Sequence, residues 1–190
     1  GAEKFLDIKC RATGLAPSAV VLVATVRALK YNGGVAKADL NQQNVEALKE
    51  GIPNLLRHVD NIQTVYGLPV VVAINAFPTD TAEELALVEE ECKKRGVNVV
   101  LSEVWAKGGK GGQALAEEVM RLCQTESQLT FAYDVKESLK QKITDIATKI
   151  YHADGVEFAP SAAKQLQQLE ELGFGELPIS QHICHLPTGT

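Results

Sequence analysis

Two short stretches carry side chains of the kinds that bind and orient a flat polar ligand. The first is Asn75-Ala76-Phe77-Pro78-Thr79-Asp80. Asn and Asp can hydrogen-bond the edge of a heterocycle, and a phenyl ring can stack on its face. A turn followed by an N-cap, with Phe77 buried as packing, accounts for the same residue types equally well. The second is Ser102-Glu103-Val104-Trp105-Ala106-Lys107, which runs into Gly108-Gly109-Lys110-Gly111-Gly112. It holds the only tryptophan of the chain, beside two lysines. Glycines let a backbone approach a ligand closely, and the N-terminus of the helix that follows attracts anions. A surface loop is the plainer reading. Gly109-x-Gly111-x-x-Ala114 formally matches a dinucleotide fingerprint, but it lies several residues past the strand, where the fingerprint needs an immediate tight turn. A nicotinamide-dependent enzyme is therefore the weakest reading.

Three further groups carry side chains of interest. Arg27 and Lys30 follow an apolar run and could meet a phosphate or carboxylate, or lie on a solvated helix face. His182-x-Cys184-His185 offers metal ligands on an aperiodic tail with no second pair, so no metal site is expected. His58 belongs to a long helix as a surface or boundary residue.

The elements that must position these groups are legible from periodicity. Val70 to Ile74 is a continuous apolar run after Pro69, the pattern of a strand buried on both faces in a parallel sheet. In open α/β sheets ligands bind at the carboxyl ends of the strands, which is where Asn75 and Phe77 fall. Thr81 and Glu84 are spaced as a capping box for the next helix, over about 81–95, with Leu85, Val88 and Cys92 inward and Gly96 at its end. Ala19 to Thr25 reads as a second fully buried strand and Val97 to Leu101 as a third. Between the first two strands, Val45, Leu48, Ile52, Leu55, Val59, Ile62 and Tyr66 keep helical spacing. Pro53 should kink or split that helix, and Gly67 suits its C-cap. Leu115, Val119 and Leu122 mark a helix after the third strand.

This alternation predicts an α/β fold, a three-layer parallel sheet with helices on both faces, over residues 1–125. Residues 3–10 read as a short helix packing Phe5, Leu6 and Ile8. A mostly helical segment follows over 126–179. Leu139, Ile143, Ile146 and Ile150 line one helix, and Leu166, Leu169 and Leu172 another, begun by Pro160 and ended by Gly173. A short strand near 129–133 is the one β candidate there. Residues 180–190 form an atypical tail.

Gross composition narrows the class. The 190 residues are 45% apolar and 23% charged, as in an ordinary soluble domain. No apolar run approaches the ~20 residues of a membrane span, and there is no signal-peptide pattern. The net charge of -5 argues against a nucleic-acid surface. Cys10, Cys92, Cys123 and Cys184 are scattered without a CxxC, which reads as reduced core cysteines of a cytoplasmic protein. The chain starts at Gly1 and its sole methionine is Met120, so it reads as a processed chain or a piece of a longer one. It contains no GxxxxGK[ST], GxSxG, HExxH or DxDxDG segment, and a complete phosphoryl-transfer centre is not expected from it.

Several stretches, in order, resemble formate–tetrahydrofolate ligase, also called formyltetrahydrofolate synthetase. They are GAEKFLDIKCR at 1–11, VVLVATVRALK at 20–30, VVVAINAFPTDT at 70–81, SEVWAKGGKGG at 102–112 and IYHADGVEF at 150–158. The resemblance implies an incomplete P-loop NTPase-like fold and an enzyme that makes 10-formyltetrahydrofolate from formate, tetrahydrofolate and ATP (with Mg) through formyl phosphate. It implies that Phe77 and Trp105 sandwich the pterin ring. Asn75, Arg27, Lys107, Gly108, Gly109, Gly111 and Gly112 would border the same cleft. The implied partners are the small-molecule substrates and a homo-oligomer, with no nucleic acid and no membrane. The family's upstream Gly-Lys-Thr-Thr phosphate loop has no counterpart here. The chain therefore resembles an interior or C-terminal portion that carries the folate side and is inactive alone. A non-catalytic binding or oligomerisation domain derived from the ligase is the alternative.

Overall fold

The structure, a computed structural model, describes residues 2–180. A π-helical segment Lys4–Cys10 runs into the one-turn helix α1 (Arg11–Thr13). Then come β1 (Val20–Ala24), α2 (Val26–Asn32), α3 (Val45–Asp60) with a π-helical extension Asn61–Val65, and β2 (Val70–Asn75). Next are α4 (Ala82–Lys94), β3 (Val99–Ser102), α5 (Val104–Lys107), a 3-10 turn Gly108–Gly112 and α6 (Gln113–Leu122). The last helices are α7 (Leu139–Asp145), extended by Ile146–Ile150, and α8 (Pro160–Leu169), extended by Glu170–Phe174.

These elements form two compact units, one of residues Pro17–Leu129 and one that joins the chain up to Ala16 with the chain from Thr130 onward. The sequence pattern groups the N-terminal helical segment with the sheet, whereas its contacts tie it to the helical unit. The Asp7 carboxylate accepts the backbone N–H of Ala132 at 2.9 Å. Arg11 donates to the Tyr133 carbonyl at 2.7 Å and lies 3.9 Å from the centroid of the Phe131 ring. Local periodicity holds no signal for a pairing so distant in sequence.

In the unit Pro17–Leu129 the three strands are parallel, in the order β1-β2-β3. The register pairs Val20 with Val70 and Val72 with Val99. β2 is central, and Val70 to Ile74 are all buried. Because successive side chains point to opposite faces, both faces of β2 are covered. α3 and α4, which lead into and out of β2, pack on each other, as two right-handed crossovers in the same direction require. α6 packs on β2 and β3.

β1 departs from the fully buried strand expected. Val21 and Val23 are 39% and 65% exposed, while their register partners Val71 and Ala73 are buried. The cover on that face stops at β2. How far the helices reach across the sheet decides this, and the apolar run of β1 does not encode it. β3 begins two residues later than the apolar pattern suggests, with Val97 already buried in the approach to it.

The helix boundaries follow their caps. The Thr25 hydroxyl accepts the Ala28 N–H, and the Asn44 side chain accepts the Ala47 N–H. Thr81 and Glu84 form both halves of the expected capping box. α3 runs through Pro53 unbroken. A proline removes one intrahelical donor, and the buried stripe Leu48, Ile52, Leu55, Leu56 and Val59 holds the helix across it. α2 and α3 meet at two glycines. A Cβ on Gly51 would overlap the carbonyl oxygen of Leu29, and one on Gly33 the carbonyl oxygen of Ala47.

In the helical unit, Leu139, Ile146 and Ile150 are buried as expected and Ile143 is half-buried. The buried ammonium of Lys142 donates to the carbonyls of Gly175 and Leu177 at 2.6 and 3.1 Å. The expected burial of Leu169 and Leu172 does not occur, since both are exposed. Leu139, Ile143, Leu166, Leu169 and Phe174 instead line an apolar groove of about 580 Å³. Residues 129–133 form no strand, although Ala132 and Tyr133 are buried. Phe5 is exposed, while Leu6 and Cys10 are buried. Cys92 is buried, but Cys123 is exposed where α6 ends. His182, Cys184 and His185, with the rest of the tail from 181, lie outside the described residues.

The α2–α3 contact gives the first prediction. Gly51→Ala should lower the free energy of unfolding by about 1–3 kcal/mol, as expected for overpacking. Urea denaturation would show a lower midpoint at unchanged slope. An unchanged midpoint would mean that the two helices do not meet at this glycine.

Candidate functional site

The carboxyl ends of the three parallel strands carry the candidate residues. β1 ends at Ala24, Thr25 caps α2, and Arg27 lies in the first turn of that helix. β2 ends at Asn75, in register with Ser102 at the end of β3. The Ala76 N–H then donates to the Ser102 carbonyl at 3.3 Å, so the two strand ends stay joined one residue beyond the ladder.

The chain turns next through Phe77 to Asp80. The Asp80 N–H donates to the Phe77 carbonyl at 2.9 Å, and the Phe77 N–H donates to Asp80 Oδ2 at 2.8 Å. The guanidinium of Arg27 stands 5.9 Å from the centroid of the half-buried Phe77 ring, at the outer limit of a cation–π contact. The structure thus brings Arg27 and Phe77 together from two different strand ends.

Past β3, the one-turn helix α5 presents Trp105, which is 78% exposed. An indole that open to solvent contributes little to packing and offers a face to a ligand. The glycine stretch after it is an ordered 3-10 turn. The Glu103 N–H donates to the Gly111 carbonyl at 3.1 Å. A Cβ on Gly111 would strike the Glu103 carbonyl, and one on Gly112 would press on the Val104 side chain. Gly108 and Gly109 have open space around them. Lys107 donates to the Glu103 carboxylate at 2.6 Å. The i, i+4 spacing of Glu103 and Lys107 makes that pair legible in the sequence. α5 intervenes between β3 and Gly109-x-Gly111-x-x-Ala114, so the tight turn of a dinucleotide fingerprint is not formed.

The model of the formate–tetrahydrofolate ligase family matches residues 1–185. The chain belongs to this family. Formate, tetrahydrofolate and ATP are the substrates of a formate–tetrahydrofolate ligase, so small molecules are its implied partners. Among the described residues no cluster of His, Cys, Asp or Glu could hold a metal ion, and no helix is long and apolar enough to cross a membrane.

Next to the Phe77 turn lies a buried charge pair, Lys30 with Glu84, that local periodicity does not reveal. Lys30 is neither on a solvated face nor directed at a ligand. It is fully buried, and its ammonium donates to Glu84 Oε1 at 2.9 Å and to the Gln42 carbonyl at 2.8 Å. Glu84 also accepts the N–H of Asn44 and, through Oε2, the N–H of Thr81. Burial alone would raise the pKa of Glu84. The hydrogen bonds from Lys30, Thr81 and Asn44 outweigh it and hold the carboxyl below its ordinary value. Asp80 is pushed the other way, chiefly by burial, against the opposing hydrogen bond from Phe77.

The sign follows from linkage. Glu84, with its folded pKa depressed, contributes stability that is present above the ordinary carboxylate range and lost as pH falls through that folded pKa. At neutral pH, Glu84→Gln or Lys30→Met leaves a buried charge or its donors without a full partner and should cost about 3–5 kcal/mol. The gap between wild type and Glu84→Gln in chemical denaturation should narrow as pH falls through the carboxylate range. A gap that stays constant with pH would mean that Glu84 is not held ionised by these donors.

Proposed function

We propose that the carboxyl end of this sheet is the folate side of a formate–tetrahydrofolate ligase, with the pterin ring held between Phe77 and Trp105. The observation that carries the reading is the position of the two aromatics. They follow adjacent parallel strands at the same sheet end, the usual ligand edge of an open α/β sheet. Stacking against rings fixes the plane of a heterocycle and holds its reactive amine in one orientation, which removes much of the entropic barrier to attack. Asn75, Arg27 and the Lys107–Gly112 turn border the cleft. In this arrangement the Arg27 guanidinium stands 5.9 Å from the centroid of the Phe77 ring and its charge is felt at Asp80, whereas Lys107 is paired with Glu103.

The reaction assigned to the family has two steps. A formate oxygen takes the γ-phosphoryl group of ATP, releasing ADP. The folate amine then attacks the formyl carbon, phosphate leaves, and the nitrogen loses its proton. The residues named here bind and orient the amine-bearing partner. The 190 residues contain no Gly-Lys-Ser/Thr phosphate loop. We therefore assign them the folate half of a P-loop NTPase-like, cytoplasmic enzyme and not the phosphoryl transfer. A second reading, a non-catalytic association domain, is favoured by one observation, the exposed Val21 and Val23 on edge strand β1.

The chain has a single tryptophan, so its fluorescence has one source. Titration with tetrahydrofolate should quench Trp105 saturably, and Phe77→Ala should weaken the apparent affinity roughly tenfold or more, the scale of a lost stacking partner. The same chain should make no 10-formyltetrahydrofolate from formate and ATP. An absence of quenching in folded protein would sink the folate reading, and ATP-dependent synthesis would sink the division of labour. Dimers in light scattering that dissociate on Val23→Lys would favour the second reading.

A further inference from the structure

We infer that Asp80 is a positioning residue for the folate site, acting through Phe77. The inference rests on the folate reading above and assigns a role to a group that reading leaves out. Phe77 is followed by Pro78 and Thr79, both exposed, and by no regular element until α4. An aromatic on such a turn would be free to sample many ring orientations, and each would have to be given up on binding.

Asp80 removes the backbone part of that freedom, and with it the range of positions from which the ring can start. Its Oδ2 accepts the Phe77 N–H at 2.8 Å, while its own N–H donates to the Phe77 carbonyl at 2.9 Å. Both backbone groups of Phe77 are thus fixed by one residue. The turn is anchored in turn at Thr81, whose N–H and hydroxyl reach Glu84 Oε2 at 3.0 and 3.2 Å. The Arg27 guanidinium lies 5.9 Å from the ring centroid. The second carboxylate oxygen of Asp80, Oδ1, is buried and accepts no hydrogen bond from the described residues. A buried acceptor left unpaired is costly. The carboxylate therefore sits where it serves the Phe77 N–H rather than where its own hydrogen bonding would be complete.

The same pair of bonds could be only a loop staple, and the test separates the two. Tetrahydrofolate is titrated against the Trp105 fluorescence of wild type, Asp80→Ala, Asp80→Asn, Phe77→Ala and the Phe77→Ala/Asp80→Ala double variant. Thermal midpoints and the hydrogen-exchange rate of the Phe77 amide are followed in parallel.

Asp80→Ala should weaken binding about tenfold, the scale of one lost hydrogen bond. Asp80→Asn keeps an acceptor for the Phe77 N–H and should restore affinity to within about twofold. In the Phe77→Ala background, Asp80→Ala should change affinity little, because the group it positions is gone. A loop staple would instead lower the thermal midpoint and weaken binding by the same factor in both backgrounds, which overturns the inference. Wild-type affinity in folded Asp80→Ala overturns it too, and leaves the folate reading standing. If wild type itself fails to bind tetrahydrofolate, the folate reading falls and takes the role of Asp80 in binding with it. The exchange rate then reports the clamp alone, and a Phe77 amide that exchanges equally fast in wild type and Asp80→Ala shows that there is no clamp.

Discussion

The Glu84 carboxylate is the point on which the sheet unit depends. One side chain receives Lys30 from α2, the N–H of Asn44 ahead of α3 and the N–H of Thr81 ahead of α4. A buried charge pair gains little net energy over apolar packing, because desolvation offsets the attraction. Its value lies in direction. Apolar contacts between three helices would tolerate small slides, whereas a carboxylate surrounded by donors at 2.9–3.0 Å accepts one arrangement. The N-terminus of α4 is thereby fixed against α2, and with it the turn that carries Phe77.

From this anchor the geometry of the sheet end follows. Parallel strands deliver their following loops to the same edge, so β1, β2 and β3 place Arg27, Phe77 and Trp105 within one region without long excursions of chain. The strand ends of β2 and β3 stay bonded through Ala76 and Ser102, and the 3-10 turn is seated on Glu103 by the Gly111 carbonyl. The aromatic residues differ in support. Phe77 is half-buried and held at its backbone, while Trp105 projects from a single helical turn. Under the folate reading proposed above, the pterin ring would meet one backbone-held aromatic and one solvent-exposed aromatic.

Much of this was legible in the sequence. The apolar run of β2 and the Thr81–Glu84 capping box are local patterns, and they predicted a buried central strand and a helix start correctly. Residues whose environment is set by distant partners were not readable. Lys30 looked like a solvated or ligand-facing cation because its partner lies on another helix. Val21 and Val23 looked as buried as Val71 and Ala73 because nothing in a strand's own residues says how far the covering helix extends. The π-helical N-terminal segment was seen as a helix, but its docking through Asp7 and Arg11 onto 131–133 leaves no mark on local periodicity. Residue types singled out Asn75, Phe77 and Trp105, and the structure places Asn75 at the end of β2 and Phe77 and Trp105 just past the ends of β2 and β3. The folate role of the two aromatics came from the family resemblance and belongs to the proposal. The neutralisation of Lys107 by Glu103 needed only an i, i+4 check.

The glycine-to-carbonyl contacts between α2 and α3 bear on the order of folding. Parallel strands β1 and β2 can pair only after the long segment between them has closed, and the entropy of that closure slows such folds. Gly33 against Ala47 and Gly51 against Leu29 join residues much closer in the chain than the two strands are. Docking of these helices ahead of strand pairing would shorten the effective loop that the first ladder bond has to close. The close approach that leaves no room for a Cβ thus also makes the β1–β2 crossover a compact hairpin of helices, from which the search for strand register would start with the chain already folded back on itself.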